Sequence, residues 1–246
     1  ALTGSERGGR SVAEAAGKNL KKNTMELGGT DCFIVLDDTD IDTVSEIAWR
    51  ARLYNAGQVC TSSKRFIVAA NLYDQFVEKL KENFAKLKTG DTIDNSTTLY
   101  TMNTKRPKEK LQSQVDEAIE KGAKVAYGNE PIDLPGQFFQ PTILTDIKPD
   151  NPAYYEEMFG PVAAVYKVNS EQEAIDLAND SDLGLGGIVF SGDSKRGEKV
   201  ASQIETGMVF VNNFMVSLPE LPFGGVKSSG YGREMSNLGL NAFVNE

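Results

Sequence analysis

Short apolar runs alternate with amphipathic stretches along most of the 246-residue chain. The runs are rich in valine and isoleucine, and several stay apolar at successive positions, as strands buried on both faces do. Strands are therefore predicted at residues 32–36, 65–69, 124–127, 162–168, 187–191 and 208–212. Helical periodicity predicts helices at residues 40–53, 73–87, 108–121, 171–179 and 194–204. This alternation is typical of an α/β fold with a mostly parallel sheet flanked by helices.

The first 28 residues follow a different pattern. A Gly-rich turn at residues 4–9 precedes a predicted helix at 11–20, and a predicted strand at 23–27 leads into Gly28-Gly29. One strand and one helix cannot bury a dinucleotide-binding core, so we expect the chain to begin within a domain. A Gly-rich turn at a helix start can receive a phosphate, although a plain turn is the simpler explanation when this segment is taken alone.

Composition narrows the classes of function. The 35 acidic and 26 basic residues give a net charge of −9, which argues against a nucleic-acid or anionic-membrane partner. No apolar run approaches the ~18 residues that a membrane span requires. Two cysteines do not make a disulfide framework in a chain of this size, which favours a reducing, cytoplasmic compartment.

Histidine is absent, which excludes Ser-His-Asp and Cys-His hydrolysis and His-ligated metal sites within the chain. No metal site is expected, and a general base must be a carboxylate, a lysine or a tyrosine.

Cys60 lies between a predicted helix and a predicted strand, in a Gly-bearing turn that can start a short helix. The N–H groups of a helix N-terminus favour a thiolate and therefore a nucleophile. The alternative is a buried, inert cysteine, since free thiols pack well in cores. Cys32 fits that alternative better, because it lies within an apolar strand.

Glu26 lies in a strand-like apolar run before two glycines. Partial burial would raise its pKa towards neutrality, as a general base requires, and the glycines would let a ligand approach the backbone. A strand-end glutamate before a loop is the alternative. Two further segments, residues 156–162 and 221–234, combine acidic, aromatic and glycine residues, and turn chemistry alone also explains each.

Five motifs in order resemble the aldehyde dehydrogenase superfamily over nearly the whole chain. They are GSxxxG at residues 4–9, MELGG at 25–29, NAGQVC at 55–60, EEMFGPV at 156–162 and PFGGVKSSGYGRE at 222–234. Cys60 follows Glu26 by 34 residues, which also agrees with the family's spacing. A lone GSxxxG would carry no weight, whereas five motifs at family spacing are highly specific.

The resemblance implies a role for each motif. Cys60 corresponds to the nucleophile, with its backbone N–H as half of an oxyanion hole, and Glu26 to the general base that activates water. Glu157 corresponds to the group that binds the nicotinamide ribose, and Phe159 to the aromatic beside the nicotinamide ring. The cofactor-binding positions implied are Gly4, Ser5, Gly9, Leu27, Glu157 and Phe159. Gly4, Ser5 and Gly9 match the turn that approaches the pyrophosphate.

The implied reaction is the NAD- or NADP-dependent oxidation of a small aldehyde to a carboxylic acid. It would proceed through a thiohemiacetal and a thioester on Cys60, and Glu26 argues for hydrolysis rather than transfer to coenzyme A. The resemblance also implies a homodimer or homotetramer.

The resemblance divides the chain into three parts. Residues 1–28 would be the remnant of a Rossmann-like cofactor domain, residues 29–228 the catalytic domain, and residues 229–246 a segment returning towards the cofactor and oligomerisation region. Most of the cofactor sheet and an asparagine of the oxyanion hole would lie upstream. We therefore expect residues 1–246 alone to be inactive and to show no NAD binding by titration calorimetry, and micromolar binding would overturn this expectation.

The prediction of the substrate depends on two positions. Ser217 matches a serine that succinate-semialdehyde dehydrogenases use to bind the distal carboxylate. Those enzymes often carry an arginine six residues before the nucleophile, where this chain has Tyr54. Arg52, or an arginine outside the chain, would have to compensate. Tyr54 also suits an uncharged aliphatic aldehyde, and succinate semialdehyde is the preferred prediction.

Two other functions stay open. One is a non-catalytic remnant kept for binding or assembly, which selective alkylation of Cys60 over Cys32 would argue against. The other is a thiol esterase that needs no cofactor, which formation of reduced cofactor from an aldehyde would argue against.

Overall fold

The computed structural model describes residues 1–244. These residues form twelve strands: β1 Leu2–Thr3, β2 Met25–Glu26, β3 Cys32–Val35, β4 Arg65–Ala69, β5 Lys124–Tyr127, β6 Thr142–Thr145, β7 Val162–Val168, β8 Leu183–Gly184, β9 Gly186–Phe190, β10 Met208–Val211, β11 Val226–Lys227 and β12 Gly230–Tyr231. They also form seven α-helices: α1 Glu6–Lys18, α2 Ile41–Leu53, α3 Tyr73–Ala85, α4 Lys105–Glu120, α5 Glu171–Asn179, α6 Ser194–Ala201 and α7 Ser236–Asn241.

A seven-stranded sheet in the order β10-β9-β3-β4-β7-β6-β5 forms the centre of the fold. Each neighbouring pair is parallel except the edge pair of β5 and β6, which is antiparallel. The α/β class and the mostly parallel sheet predicted from the sequence are confirmed. Strand β6 is absent from the prediction, because its four residues combine two apolar positions with a threonine at each end and so show no clear apolar run.

Helices cover both faces of this sheet. Phe33 and Val35 of β3 belong to a buried cluster with α2 and α3, whereas Cys32 and Ile34 belong to a cluster with α5 and α6. Alternate side chains of a strand point to opposite faces, so a strand covered on both faces is apolar at every position. Fully burying one such aliphatic side chain contributes about 1.5–3 kcal/mol. Cys32 is therefore a core residue, as predicted.

Helix α1 begins at Glu6, earlier than the start predicted at residue 11, and it includes Gly8 and Gly9. Ser5 is the reason: its Oγ accepts a hydrogen bond from the Gly8 N–H at 3.3 Å and so caps the helix. Glycine weakens a helix by about 0.5–1 kcal/mol relative to alanine, and a cap offsets a cost of that size.

A second, three-stranded sheet has the order β1-β2-β12 and joins segments from both ends of the described chain. Glu26 pairs with Thr3 in parallel and with Gly230 in antiparallel register, and its carbonyl accepts the Gly4 N–H at 2.9 Å. The backbone of Glu26 is thus held from both sides.

The division of the chain at residues 1–28, 29–228 and 229–246 stays a prediction, and residues 245–246 of the last segment lie outside the described residues.

Within residues 1–244, no helix combines the length and the apolar character needed to cross a bilayer. The same stretch contains no group of three or more acidic, cysteine or histidine side chains arranged to hold a metal ion.

Candidate active site

Cys60 lies in a turn between α2 and β4. A short 3-10 segment, Tyr54–Gly57, follows α2, and two of its residues have left-handed backbone, Asn55 with φ 52° and Ala56 with φ 53°. After Cys60 the chain turns directly into β4, so the short helix predicted to begin there is wrong. The turn is instead tied back to α2, because the Ser62 hydroxyl donates to a carbonyl at the end of that helix at 2.8 Å. A helix dipole is therefore not the source of a thiolate.

The Cys60 thiol is half-buried, and burial raises its pKa. The Lys64 ammonium and the Thr61 N–H act in the opposite direction, while Asp31 and Glu157 add to the rise. The backbone N–H of Cys60 has no hydrogen-bond acceptor among residues 1–244. That donor is free to stabilise an oxyanion that develops next to the sulfur.

Glu26 is buried in the middle strand of the small sheet, and neither carboxyl oxygen has a hydrogen-bond partner within residues 1–244. Burial raises its pKa to about 7, and Glu234 adds to the rise while Arg233 opposes it. A carboxyl group with a pKa near neutrality can accept a proton from water. The expected rise in the pKa is confirmed, and the role of general base stays a prediction.

The two glycines after Glu26 bring this strand against the rest of the site. A Cβ on Gly29 would lie 2.8 Å from the Cys60 carbonyl oxygen, and a Cβ on Gly28 would lie 2.6 Å from Glu157 Oε2. The approach of Gly29 to backbone requires glycine, whereas a side chain at position 28 would displace the Glu157 carboxylate. The structure thus brings the segments of Glu26, Cys60 and Glu157 together, as three of the five sequence motifs predict.

Glu157 is held on one side only. Its Oε1 accepts the Gly29 N–H at 3.1 Å and lies 3.2 Å from Lys64 Nζ. Its Oε2 accepts no hydrogen bond from the described part of the chain, and of the Glu157 oxygens Gln114 donates only to the backbone carbonyl. A carboxylate oxygen with free acceptor capacity fits a ribose hydroxyl, which donates. Phe159 is 42% exposed, so the aromatic ring predicted to lie beside a nicotinamide is accessible.

The predicted phosphate turn lies at the N-terminus of α1. Gly4 and Ser5 precede the helix, whose first N–H groups and positive dipole end fit an anionic phosphate. Gly9 lies deeper, because a Cβ there would be 2.7 Å from Leu27 Cδ1. The structure therefore gives Gly9 and the buried Leu27 side chain a packing function between α1 and β2. Their cofactor roles stay predictions.

The two predicted substrate residues line one cavity. Tyr54 and Ser217 border a cavity of about 460 Å³ together with Val59 and Thr61, which flank Cys60 in sequence. A neighbouring cavity of about 850 Å³ shares Tyr54 and Val59. Tyr54 is 70% exposed, so its side chain is free to adapt to an entering molecule. An aldehyde lying between Tyr54 and Ser217 would thus be next to the thiol turn.

Arg52 cannot bind a substrate carboxylate, and that part of the sequence prediction is wrong. The side chain is fully buried at the end of α2. Its Nη1 donates to the Ser63 carbonyl at 2.9 Å, and its Nη2 donates to the Gly57 carbonyl at 2.7 Å and to the Gly160 carbonyl. The guanidinium thus joins the loop before Cys60 to the loop that carries Glu157.

Two further buried charges at the site, Lys64 and Asp31, are missing from the sequence analysis. Lys64 Nζ lies against the carbonyl oxygens of the thiol turn, and the Asp31 carboxylate accepts the Gly186 N–H at 3.1 Å. A pattern in the sequence could have indicated them, because each charge stands beside a strand that is apolar on both faces. Such a position is buried unless the chain turns away.

The α/β fold thus holds a half-buried thiol, a buried carboxyl group of raised pKa and a partly free Glu157 carboxylate on segments that lie close together. The model of the aldehyde dehydrogenase family matches residues 1–246. The chain is 51% identical over 245 residues to an NADP(+) succinate-semialdehyde dehydrogenase from Deinococcus radiodurans, covering 100% of this chain and 51% of that protein.

Comparison with solved structures points to the same family. Succinic semialdehyde dehydrogenase from Streptococcus pyogenes in complex with NADP+ has a TM-score of 0.98 at 56% identity, covering 100% of this chain and 54% of that one. Betaine aldehyde dehydrogenase from Staphylococcus aureus in complex with NAD+ has a TM-score of 0.95 at 34% identity, covering 98% and 49%. The chain belongs to the aldehyde dehydrogenase family, and it spans about half the length of these relatives.

Proposed function

We propose that the protein containing this chain oxidises an aldehyde to a carboxylic acid, with Cys60 as nucleophile and Glu26 as general base. The observation that supports the proposal most directly is the close approach of Gly28 and Gly29, which follow Glu26, to the Cys60 turn and Glu157. A thiol and a carboxyl group of pKa about 7 are the two groups that formation and hydrolysis of a thioester need.

The reaction begins when the Cys60 thiolate adds to the aldehyde carbon and forms a thiohemiacetal. The free N–H of Cys60 donates to the oxyanion in this step. Loss of a hydride from the same carbon converts the thiohemiacetal into a thioester. Glu26 then takes a proton from water, the hydroxide adds to the thioester, and the carboxylic acid leaves as the Cys60 thiolate is released.

NADP is the proposed cofactor, since the relatives in Deinococcus radiodurans and Streptococcus pyogenes carry it in their names or complexes. Within this chain, Oε2 of Glu157 would accept a ribose hydroxyl, Phe159 would lie beside the nicotinamide ring, and the start of α1 with Gly4 and Ser5 would face the pyrophosphate. When bound, the cofactor supplies the acceptor for the hydride.

Glu26→Gln is expected to stop the second half of the reaction while leaving the first intact. The amide keeps the size of the side chain and cannot accept the proton of water, so the thioester accumulates. Rapid mixing should show about one equivalent of reduced cofactor per site, followed by a steady-state rate lowered roughly 10²–10⁴-fold. The matched control is Glu234→Gln, which removes a neighbouring charge without removing the base.

The pH dependence follows from the same group. The base must be deprotonated, so the deacylation rate is low below the raised pKa of Glu26 and increases with pH through an inflection near 7. The inflection should disappear in Glu26→Gln. A variant with the wild-type steady-state rate and pH profile would contradict the assignment of Glu26.

Succinate semialdehyde is the proposed substrate, because the relatives from Deinococcus radiodurans and Streptococcus pyogenes are succinate-semialdehyde dehydrogenases by name and because Tyr54 and Ser217 line the cavity beside the thiol turn. The Ser217 hydroxyl would donate to the distal carboxylate. The Arg52 guanidinium donates its hydrogen bonds to backbone carbonyls, so it does not bind the distal carboxylate of the substrate.

Ser217→Ala should weaken recognition of the carboxylate alone. Loss of one hydrogen bond to a charged group costs about 1.5–3 kcal/mol, which predicts a KM for succinate semialdehyde raised roughly tenfold or more. Butanal has the same chain length without the carboxylate, and its KM should not change. An equal rise in KM for both aldehydes would show that Ser217 shapes the cavity and does not bind the carboxylate.

The overall proposal is tested by incubating the intact protein with an aldehyde and NADP and following formation of reduced cofactor. Ester cleavage without any reduced cofactor would favour a thiol esterase instead. Assembly as a homodimer or homotetramer is part of the proposal and is measured by light scattering on the eluting protein.

A further inference from the structure

Lys64 is a buried ammonium directly beneath the thiol turn. It is 3% exposed, and its Nζ lies 2.7 Å from the Cys60 carbonyl oxygen, 3.1 Å from that of Ser62 and 3.2 Å from that of Val59. The fourth oxygen around it is Oε1 of Glu157 at 3.2 Å. One cation therefore contacts three carbonyls of the turn that carries the nucleophile and the carboxylate that faces the proposed cofactor.

Three charged groups face Lys64 in this pocket. Burial lowers its pKa, Glu157 opposes that effect, Arg52 adds to it, and Asp31 opposes it. Asp31 is itself buried, with Oδ1 accepting the Gly186 N–H and Oδ2 lacking a partner within residues 1–244. The Glu157 carboxylate at 3.2 Å favours the charged ammonium, and the Asp31 charge acts in the same direction.

The neighbouring arginines do not share this position. Arg52 donates to the carbonyls of Ser63, Gly57 and Gly160, and Arg65 donates to those of Thr30, Leu177 and Ala178. Of the charged groups that act on the Cys60 thiol, Asp31 and Glu157 are negative and Lys64 is positive. The positive charge available to a thiolate at this turn is that of Lys64.

We propose that Lys64 is a positioning residue that holds the Cys60 turn against Glu157 and supplies the positive charge facing the Cys60 thiolate. This inference rests on the proposed function of Cys60 as nucleophile. Glu157 then has two uses: Oε1 keeps Lys64 charged, and Oε2 remains available for a ribose hydroxyl. Lys64 thus couples the turn of the nucleophile to the carboxylate on the cofactor side of the site.

Lys64→Met tests the charge with little change in volume. The intact protein is treated with iodoacetamide over a range of pH, and the rates at Cys60 and Cys32 are separated by peptide mass spectrometry. Lys64 contacts the Cys60 carbonyl oxygen and lowers the pKa of the thiol. A nearby opposite charge changes a pKa by about 1–3, so the inflection of the Cys60 profile should move to a pH at least about 1 higher in the variant, and the rate at pH 7 should fall roughly tenfold. The control is Lys124→Met, which removes the cation of an exposed ion pair with Asp146 and should leave the profile unchanged.

A purely structural Lys64 would give a different result: a lower melting temperature with a Cys60 profile that coincides with the wild type. If Lys64→Met does not fold, Glu157→Gln and the double variant Lys64→Met/Glu157→Gln replace the pair. Glu157→Gln should move the inflection to lower pH, and adding Lys64→Met should move it back up.

If the pH profiles of Cys60 alkylation coincide in Glu157→Gln and in the double variant, the inference is overturned. Failure of the proposed function is separate, because wild-type Cys60 would then react no faster than the buried Cys32.

Discussion

Replacement of Cys60 by serine should reduce aldehyde oxidation at least roughly 10³-fold. A serine hydroxyl is far less acidic than a thiol, and the Lys64 charge that favours a thiolate cannot ionise it at neutral pH. An ester would also be hydrolysed more slowly than the thioester it replaces. Formation of reduced cofactor from succinate semialdehyde measures the loss.

The matched control is Cys32→Ala. Cys32 lies in β3 within the core, and burial raises its pKa to about 11, so it is protonated at neutral pH and takes no part in the chemistry. The variant should lose stability while its activity per folded molecule stays at the wild-type level. Retained oxidation in Cys60→Ser, or its loss in Cys32→Ala without unfolding, would contradict the assignment of the nucleophile.

Replacement of Arg52 by methionine should lower the free energy of unfolding by several kcal/mol, since each buried carbonyl left without its donor costs about 1–3 kcal/mol. Methionine fills similar space but leaves the carbonyls of Gly57, Ser63 and Gly160 without their shared donor in a buried place. The loops that carry Cys60 and Glu157 would also lose their connection, so activity should fall together with stability. Chemical denaturation of the two proteins under the same conditions measures the difference.

Arg50→Met is the control for this experiment. Arg50 lies two residues earlier on the same helix, is exposed, and contacts the ring of Trp49 at 5.1 Å, so its replacement should cost no more than about 1 kcal/mol. Equal destabilisation by the two substitutions would show that the buried hydrogen bonds of Arg52 add nothing specific. Loss of activity in Arg52→Met with unchanged stability would instead indicate direct contact with the substrate.

The parts of the site that the sequence predicted are those that short motifs encode. Cys60, Glu26 and Glu157 each stand in a run of residues whose spacing is specific to the family, and the structure brings their segments together through Gly28 and Gly29. The helix predicted at Cys60 is wrong for a local reason. The left-handed Asn55 and Ala56, together with the Ser62 hydroxyl, turn the chain straight into β4, and such backbone angles leave no periodic pattern.

Motifs and apolar periodicity do not predict the environment of three charged residues, Lys64, Asp31 and Arg52. Each is a charged residue that a composition argument places in solvent, yet all three are buried. Their burial depends on partners distant in sequence: Glu157 for Lys64, Gly186 for Asp31 and Gly160 for Arg52. Pairings of this kind exist only after the strands have assembled, so no window of the sequence contains them.

Apolar periodicity and motif spacing are local properties of the chain, and they were enough to predict the α/β class, six of the seven strands of the large sheet, the core position of Cys32 and the resemblance to the aldehyde dehydrogenase family. Long-range contacts were needed to show that Arg52 joins two loops, that Gly9 packs against Leu27, and that Lys64 lies between the Cys60 turn and Glu157. The physical reason is that buried charges and close backbone contacts are set by which segments meet, and in this fold segments about 100 residues apart in sequence lie side by side.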